Sequence, residues 1–321
     1  MKRTAYLAIV LAVMIESVSP TRTRADLIIN LDFSNFNTAA PANGSAILGG
    51  STRSAAQNVI QTAANYWTNA FANSNSSRSF ATGGRITQTI DVGWIAQSGS
   101  VLATGGTSFF ASGQFGRGSL NIDNDGSSNF YVDSNPANNS EWLKNTQRNL
   151  AFNGVNMNVE RVFYDASGVA RTNNDLLSVS IHEIGHALGF LSGYPGFSGD
   201  ITSGPFNGAQ IPTLGGHTNF QLLSPNGQFP YDPGGGGTFT QFLYNPNVMG
   251  PGLVTGVRAT LTEADIAIMA QTLGFDMATV NFNPTAVPEP SSLMFIAISL
   301  VGIGMVTKTR RRSLANVRRL A

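Results

Sequence analysis

Apolar runs and polar, glycine-rich stretches alternate along the chain, and the period of each run predicts its backbone. Leu27–Phe33 (LIINLDF) is a short apolar-rich run that predicts a first strand. Between Ser54 and Phe71, Ile60, Ala63, Ala64, Trp67 and Phe71 recur at three- and four-residue spacing, the core-facing stripe of a helix. Ile86–Val92 (ITQTIDV) alternates as a half-buried strand does, and Val159–Tyr164 predicts another. Leu176–Leu191 predicts a strongly apolar helix that Asn174 or Asp175 can cap. From there to about Gly256 the chain is rich in Gly, Pro and Asn, and Gly234–Gly237 is a flexible loop. Thr262-Glu263-Ala264-Asp265 opens a last helix in the manner of a capping box. No internal repeat is present. The pattern predicts one α+β domain over residues 26–276, with a loop-rich second half, followed by a linker over 277–286.

Composition narrows the chemistry. Of 321 residues, 42% are hydrophobic, enough for a core, and only 12% are charged, about half the usual share. A nucleic-acid binder would need clustered Lys and Arg, which this domain lacks. Cysteine is absent, which excludes disulfides, Cys₄ zinc sites, iron–sulfur clusters, thiol nucleophiles and a cysteine-switch propeptide. The net charge of +1 hides an uneven distribution: from Asp26 to Val287 nine basic residues face sixteen acidic ones, a net of −7. The positive charge sits at the ends.

Both ends predict sorting rather than fold. Residues 1–25 have a basic start (Lys2, Arg3) and an apolar run from Tyr6 to Ile15. Small residues at Thr23 and Ala25 suit a signal-peptide cut before Asp26. At the other end, Val287-Pro288-Glu289-Pro290 precedes a fourteen-residue apolar run, Leu293–Val306, and then Lys308, Arg310, Arg311 and Arg312. Such a run is marginal for a full transmembrane helix, and the trailing basic residues would hold that end in the cytoplasm. Residues 287–313 resemble the PEP-CTERM sorting signal of Gram-negative bacteria, with 314–321 a basic tail. The resemblance implies export, membrane anchoring before processing, cleavage by an exosortase-type enzyme, and delivery to the cell envelope, outer surface or extracellular matrix.

Two of the three histidines lie in His182-Glu183-Ile184-Gly185-His186 on the predicted Leu176–Leu191 helix. Residues i and i+4 share a helix face, about 5–6 Å apart at Cβ. Both imidazoles can then reach one Zn²⁺ at about 2.0–2.1 Å. Glu183 stands at the edge of that face, where it can take a proton from a water activated by the metal. The helix is apolar elsewhere, so the three polar groups need partners that a metal and its water would supply.

A catalytic zinc takes a third protein ligand. The long form of the motif would place a histidine at position 192, which is Ser192. No Glu occurs between Glu183 and Glu263, which leaves Asp200, His217, Asp232 and Glu263. His217, flanked by Gly215 and Gly216, is the preferred third ligand, with Asp200 next.

The string His182-Glu183-Ile184-Gly185-His186-Ala187-Leu188-Gly189-Phe190 resembles the zincin metalloproteases, and its Gly-Phe ending is most similar to the leishmanolysin-type branch of the metzincins. The resemblance covers about residues 176–276 and is specific over its first nine. It implies a twisted mixed sheet, an active-site helix and an irregular C-terminal subdomain. Gly189 would turn the chain toward the third ligand, and Asn247-Val248-Met249-Gly250-Pro251 would be a Met-turn beneath the metal. The implied activity is that of a secreted zinc endopeptidase acting on protein or peptide substrates, with Glu183 passing its proton on to the leaving amine. Tyr231 and Tyr244 are candidate oxyanion donors. Asn121-Ile122-Asp123-Asn124-Asp125-Gly126 begins like a calcium loop, but position twelve is Val132, so a polar surface loop is expected and Ca²⁺ has weak support. The competing classes are a non-catalytic envelope or matrix protein with a structural metal site, and a zinc hydrolase of non-peptide amides.

Overall fold

A computed structural model of the chain describes residues 27–36, 52–152, 155–191, 194–198, 205–207, 219–222, 231–232, 248–249 and 253–285. Chain contacts divide it into residues 1–286 and 287–321, and all described residues fall in the first unit. The architecture is mixed α+β, with several small sheets and few helices.

The central sheet has four strands: β1 (Leu27–Asp32), β2 (Ile86–Ile95), β4 (Phe115–Asp123) and β3 (Ala103–Phe109), in the order β1-β2-β4-β3. The first three are parallel, and β3 runs antiparallel to β4 as a hairpin partner. Alternation sets the faces: Ile86, Gln88, Ile90, Val92 and Trp94 of β2 are all buried. Parallel β1 and β2 require a crossover, which helix α1 (Arg53–Ala70) supplies. Thr52 caps α1 through its Oγ1, which accepts from Ala55 N, and the predicted stripe (Ile60, Ala63, Ala64, Trp67, Phe71) is fully buried.

Strands β3 and β4 carry glycine and polar residues (ATGGTSF, FGRGSLNID) and give no strong periodic signal. The same holds for β6 (Trp142–Phe152), which forms a long hairpin with β7 (Val155–Ala166). That hairpin extends the predicted Val159–Tyr164 strand at both ends and pairs with β12 (Arg258–Ala259). Two short strands, β5 (Phe130–Tyr131) and β8 (Asn174–Asp175), pair just before the next helix. Strands β9 (Pro205–Asn207), β10 (Asn219–Leu222) and β11 (Tyr231–Asp232) make a separate antiparallel sheet.

Helix α2 (Leu176–Ala187) is buried along its whole length. Asp175 is its N-cap, accepting from Ser178 N at 3.1 Å. The helix ends four residues before the Leu191 that its apolar pattern predicts. Gly189 sits at φ +105°, a conformation that favours glycine, and the reversal there returns Phe190 N to the carbonyl of Gly185 at 3.1 Å. A short turn of helix, α3 (Pro195–Ser198), follows. The last helix, α4 (Glu263–Leu273), begins with the predicted capping box, Thr262 and Asp265 bonding reciprocally, and stops at Gly274 in the left-handed region. Residues 277–285, expected as linker, run along the end of α1: Asn281 N donates to Ala70 O at 2.8 Å, and Met277 is buried.

Candidate metal centre

Three elements hold α2 at fixed depth. Trp67 on α1 donates its Nε1–H to the carbonyl of Ile181 at 2.9 Å, in the middle of α2. Gln88, a buried amide in the apolar row of β2, donates to the Ala187 carbonyl at 3.2 Å and so satisfies an orphan group at the helix end. On the third side β3 lies directly against the helix backbone. A Cβ at Gly105 would collide with the Glu183 carbonyl oxygen and come within 2.8 Å of Glu183 C and Cα. Only glycine permits this approach.

The motif residues then converge. His182, Glu183 and His186 are buried, and their ligand atoms lie within 4.8 Å of one another. His182 Nδ1 is 2.7 Å from the Val248 carbonyl, and His186 Nδ1 is 2.7 Å from the Phe190 carbonyl. A carbonyl only accepts, so both hydrogens belong on Nδ1 and both Nε2 atoms carry lone pairs. Those two Nε2 atoms face each other at 3.1 Å. Burial lowers both imidazoles to about 4, with the His182 charge a further lowering influence on His186, so both are neutral near pH 7. Two neutral acceptors held this close could hold a cation between them. Two bonds of about 2.0–2.1 Å to one Zn²⁺ close a triangle over that separation. The donor set therefore fits a metal, and the carbonyls of Val248 and Phe190 are the outer partners that fix ligand orientation.

Glu183 Oε1 is 4.0 Å from His182 Nε2. Burial raises its carboxyl to about 7, against the pull of His186 and a backbone hydrogen bond from Gly105. Met249 is fully buried, and its sulfur lies where a Cβ on Gly185 would be 2.6 Å away, with the Trp67 ring on another side. Residues 248–249 thus serve the centre twice, through the Val248 carbonyl and through the Met249 side chain packed beneath the histidine-bearing turn. A cavity of about 770 Å³ opens beside His182 and Glu183, between β3, α2 and residues 253–255.

The other predicted residues are distributed as follows. His217, Asp200, Ser192 and Tyr244 lie outside the described residues. Tyr231 pairs with Leu222 and Asp232 with Gln221 across β10–β11, and their side chains lie outside the described set. Glu263 is not in the cluster: its Oε2 accepts from Asn158 N at 2.8 Å on β7. The loop expected at the surface at Asp123 is partly internal. Asp123 is fully buried and accepts from Gln97 N at 2.9 Å, Asp125 N at 3.1 Å and Ser127 Oγ at 3.3 Å. Its oxygens face protein donors. The sequence assigns Gly105 and Gln88 no role at this centre, and Trp67, Val248 and Phe190 stood out only as parts of a core stripe, a Met-turn and the motif's Gly-Phe ending. Gln88 alone carries a local signal, a polar residue in the apolar phase of a strand.

A protein-family model of the PEP-CTERM protein-sorting motif matches residues 286–312. That motif implies recognition by an exosortase-type sorting enzyme, export, and processing at the C-terminus. No curated protein matches the chain. Among the described residues no helix is long and apolar enough to cross a membrane, and the 293–306 run lies outside them.

Proposed function

We propose that the chain is an exported, zinc-dependent endopeptidase with a metzincin-like catalytic domain. The observation that carries this reading is the pair of Nε2 atoms 3.1 Å apart, each imidazole held at Nδ1 by a backbone carbonyl, with the buried Glu183 carboxyl 4.0 Å from His182 Nε2. His182 and His186 would hold the zinc, with His217 as third ligand. When bound, the metal supplies Lewis acidity and an activated water. Glu183 is poised to take a proton from the attacking water and release it to the leaving nitrogen, since a base titrating near the working pH does both.

A peptide substrate suits the surroundings better than a small amide. Among the described residues β3 is an edge of its sheet, running beside Glu183, and an extended chain can pair with such an edge. The cavity beside the pair has room for a substrate and so supports this reading over a closed structural metal site on a non-catalytic envelope protein. Metal content and peptide hydrolysis of Glu183→Gln test the reading. The variant should keep its zinc and lose turnover by about 10²-fold or more. Loss of zinc together with activity would assign Glu183 a ligand's role instead.

A further inference from the structure

The tip of the β3–β4 hairpin is apolar and faces outward. Phe109, Phe110 and Ala111 are consecutive exposed residues there, with Phe110 60% exposed. No charged residue occurs from Val92 to Gly116. The turn is held firmly from behind. Phe110 N donates to Gln114 O at 2.8 Å, and Gly113 N donates to Phe110 O at 2.8 Å. Gly113 takes φ +79°, a conformation that favours glycine. Tyr194 donates its hydroxyl to Gly113 O at 3.0 Å, and its ring packs on Phe109 at 5.6 Å and Phe115 at 5.0 Å. A fixed turn thus presents the Phe110 ring to the outside.

Both terminal segments leave the domain at that same end. Strand β1 starts at Leu27, opposite Ile86 at the start of parallel β2, and β4 starts at Phe115, three residues before the Ile90–Gly118 pair. Helix α1 crosses back and ends where β2 begins. Asn69 in its last turn donates to the carbonyl of Thr285, the last described residue, at 2.8 Å. Phe80, in the loop after α1, packs on Phe115 at 5.8 Å. That loop, residues 71–85, carries Arg78 and Arg85 and no acidic residue, and the exposed Asp276 beside it is a single opposing charge. Leu293, where the C-terminal apolar run begins, is eight residues past Thr285 and so at most roughly 26–29 Å from it. A bilayer holding that run is therefore close to this end of the sheet.

We propose that the Phe109–Ala111 tip docks on the bilayer that holds the sorting segment, seating Phe110 at the boundary of headgroups and acyl chains until that segment is cut. This goes beyond the endopeptidase reading and needs no metal; it rests on the 293–306 run acting as a membrane anchor. A run of that length is marginal alone, and firm attachment takes a second element. One inserted ring binds weakly by itself, but the tether makes its contact intramolecular. The cavity beside His182 is lined by Leu102 and Ala103 at the start of β3 and by Ser127 and Ser128 after β4, at the other end of these strands. Docking through the tip turns that cavity away from the lipid.

The test uses the full chain in phosphatidylethanolamine–phosphatidylglycerol vesicles that contain nitroxide-labelled lipid. The sequence has no cysteine, so Ala111→Cys and Ser98→Cys each carry a single environment-sensitive fluorophore. Ser98 is exposed in the β2–β3 loop, at the end away from the tip. In chain that floats with the vesicles, the label at 111 should be quenched at least about threefold more than the label at 98. Phe110→Ser, alone and together with Phe109→Ser, should bring the two labels within about 1.5-fold while flotation persists. Equal quenching in the parent, or a difference that both variants preserve, overturns the docking surface alone. A blue-shifted label at 111 with no lipid quenching assigns the tip to a second copy of the chain and also overturns it. Failure of the parent to float overturns the anchor reading and the docking surface together. Zinc content and peptide cleavage stand apart from all of these outcomes.

Discussion

Gly105 and Gly106 are neighbours in β3 with opposite surroundings, and substituting each by alanine tests how closely β3 and α2 are packed. Neither has a positive φ, so alanine fits both backbones. At Gly106 a Cβ would meet nothing within 4 Å. That change should be neutral or stabilising by up to about 0.4–1 kcal/mol, because alanine restricts the unfolded chain. At Gly105 the Cβ would come within 2.8 Å of Glu183 C and Cα, and these are backbone atoms that cannot swing aside. Restoring an ordinary contact of about 3.4 Å to these two atoms requires the strand and helix to part by roughly 0.6 Å, and the closer Glu183 carbonyl oxygen requires more. Overpacking of this kind costs about 1–3 kcal/mol. For a domain of this size the melting temperature should fall by roughly 2–12 °C. Urea denaturation of the two variants beside the parent gives the comparison directly. Peptide hydrolysis by Gly105→Ala should also fall, by up to about 10²-fold, since displacement of about 1 Å near reacting groups has that effect. Equal stability of the two variants would refute the packing of β3 on the helix backbone.

Two further perturbations probe other parts of the account. Arg258 is fully buried, bidentate to Asp175 at 2.8 and 3.0 Å, bonded to Asp133 at 2.8 Å, and stacked 3.9 Å from the Trp142 ring centroid. Arg258→Met leaves two buried carboxyls without their cation and should cost about 3–5 kcal/mol in urea denaturation, against under about 1 if the pairing is incidental. Burial already raises the Asp133 carboxyl, so without Arg258 the folded form holds its proton more tightly than the unfolded chain does. The deficit should therefore grow as pH rises through the carboxyl range. Zinc affinity gives a pH prediction of the opposite sense. With His182 and His186 both titrating at about 4, neither binds a proton that competes with the metal until the pH approaches that value. Between about pH 5 and 6.5 zinc release should be coupled to at most two protons, one on a third ligand and one on Glu183, whose carboxyl burial raises to about 7. Uptake of three or more in that interval, as ordinary histidines would show, contradicts the buried geometry.

The sequence carried some of this structure in local form. The helical stripe of α1 and the Thr262–Asp265 capping box depend on spacings of three and four residues, which the backbone itself enforces. So does the meeting of His182 and His186. The glycine-rich strands β3 and β4 were not legible, because their glycines answer to a neighbour distant in sequence rather than to strand propensity: Gly105 exists for the backbone of Glu183. The length of α2 was overestimated because its apolar pattern continues past the residue that reverses the chain. What orients the imidazoles was invisible for a different reason. The Val248 and Phe190 groups that do so are carbonyls, which every residue possesses. Arg258 reads as an ordinary surface cation in the sequence, and only the convergence of Asp133, Asp175 and Trp142 makes its burial tolerable.

The most direct test of the central claim is zinc per chain in the purified protein, measured beside His182→Ala and His217→Ala. About one zinc per chain is expected in the parent and much less in both variants. A folded parent that takes up no zinc even after incubation with the metal would contradict the metal centre and the endopeptidase reading built on it. Full retention in His217→Ala alone would leave the centre standing and move its third ligand to Asp200 or another carboxylate.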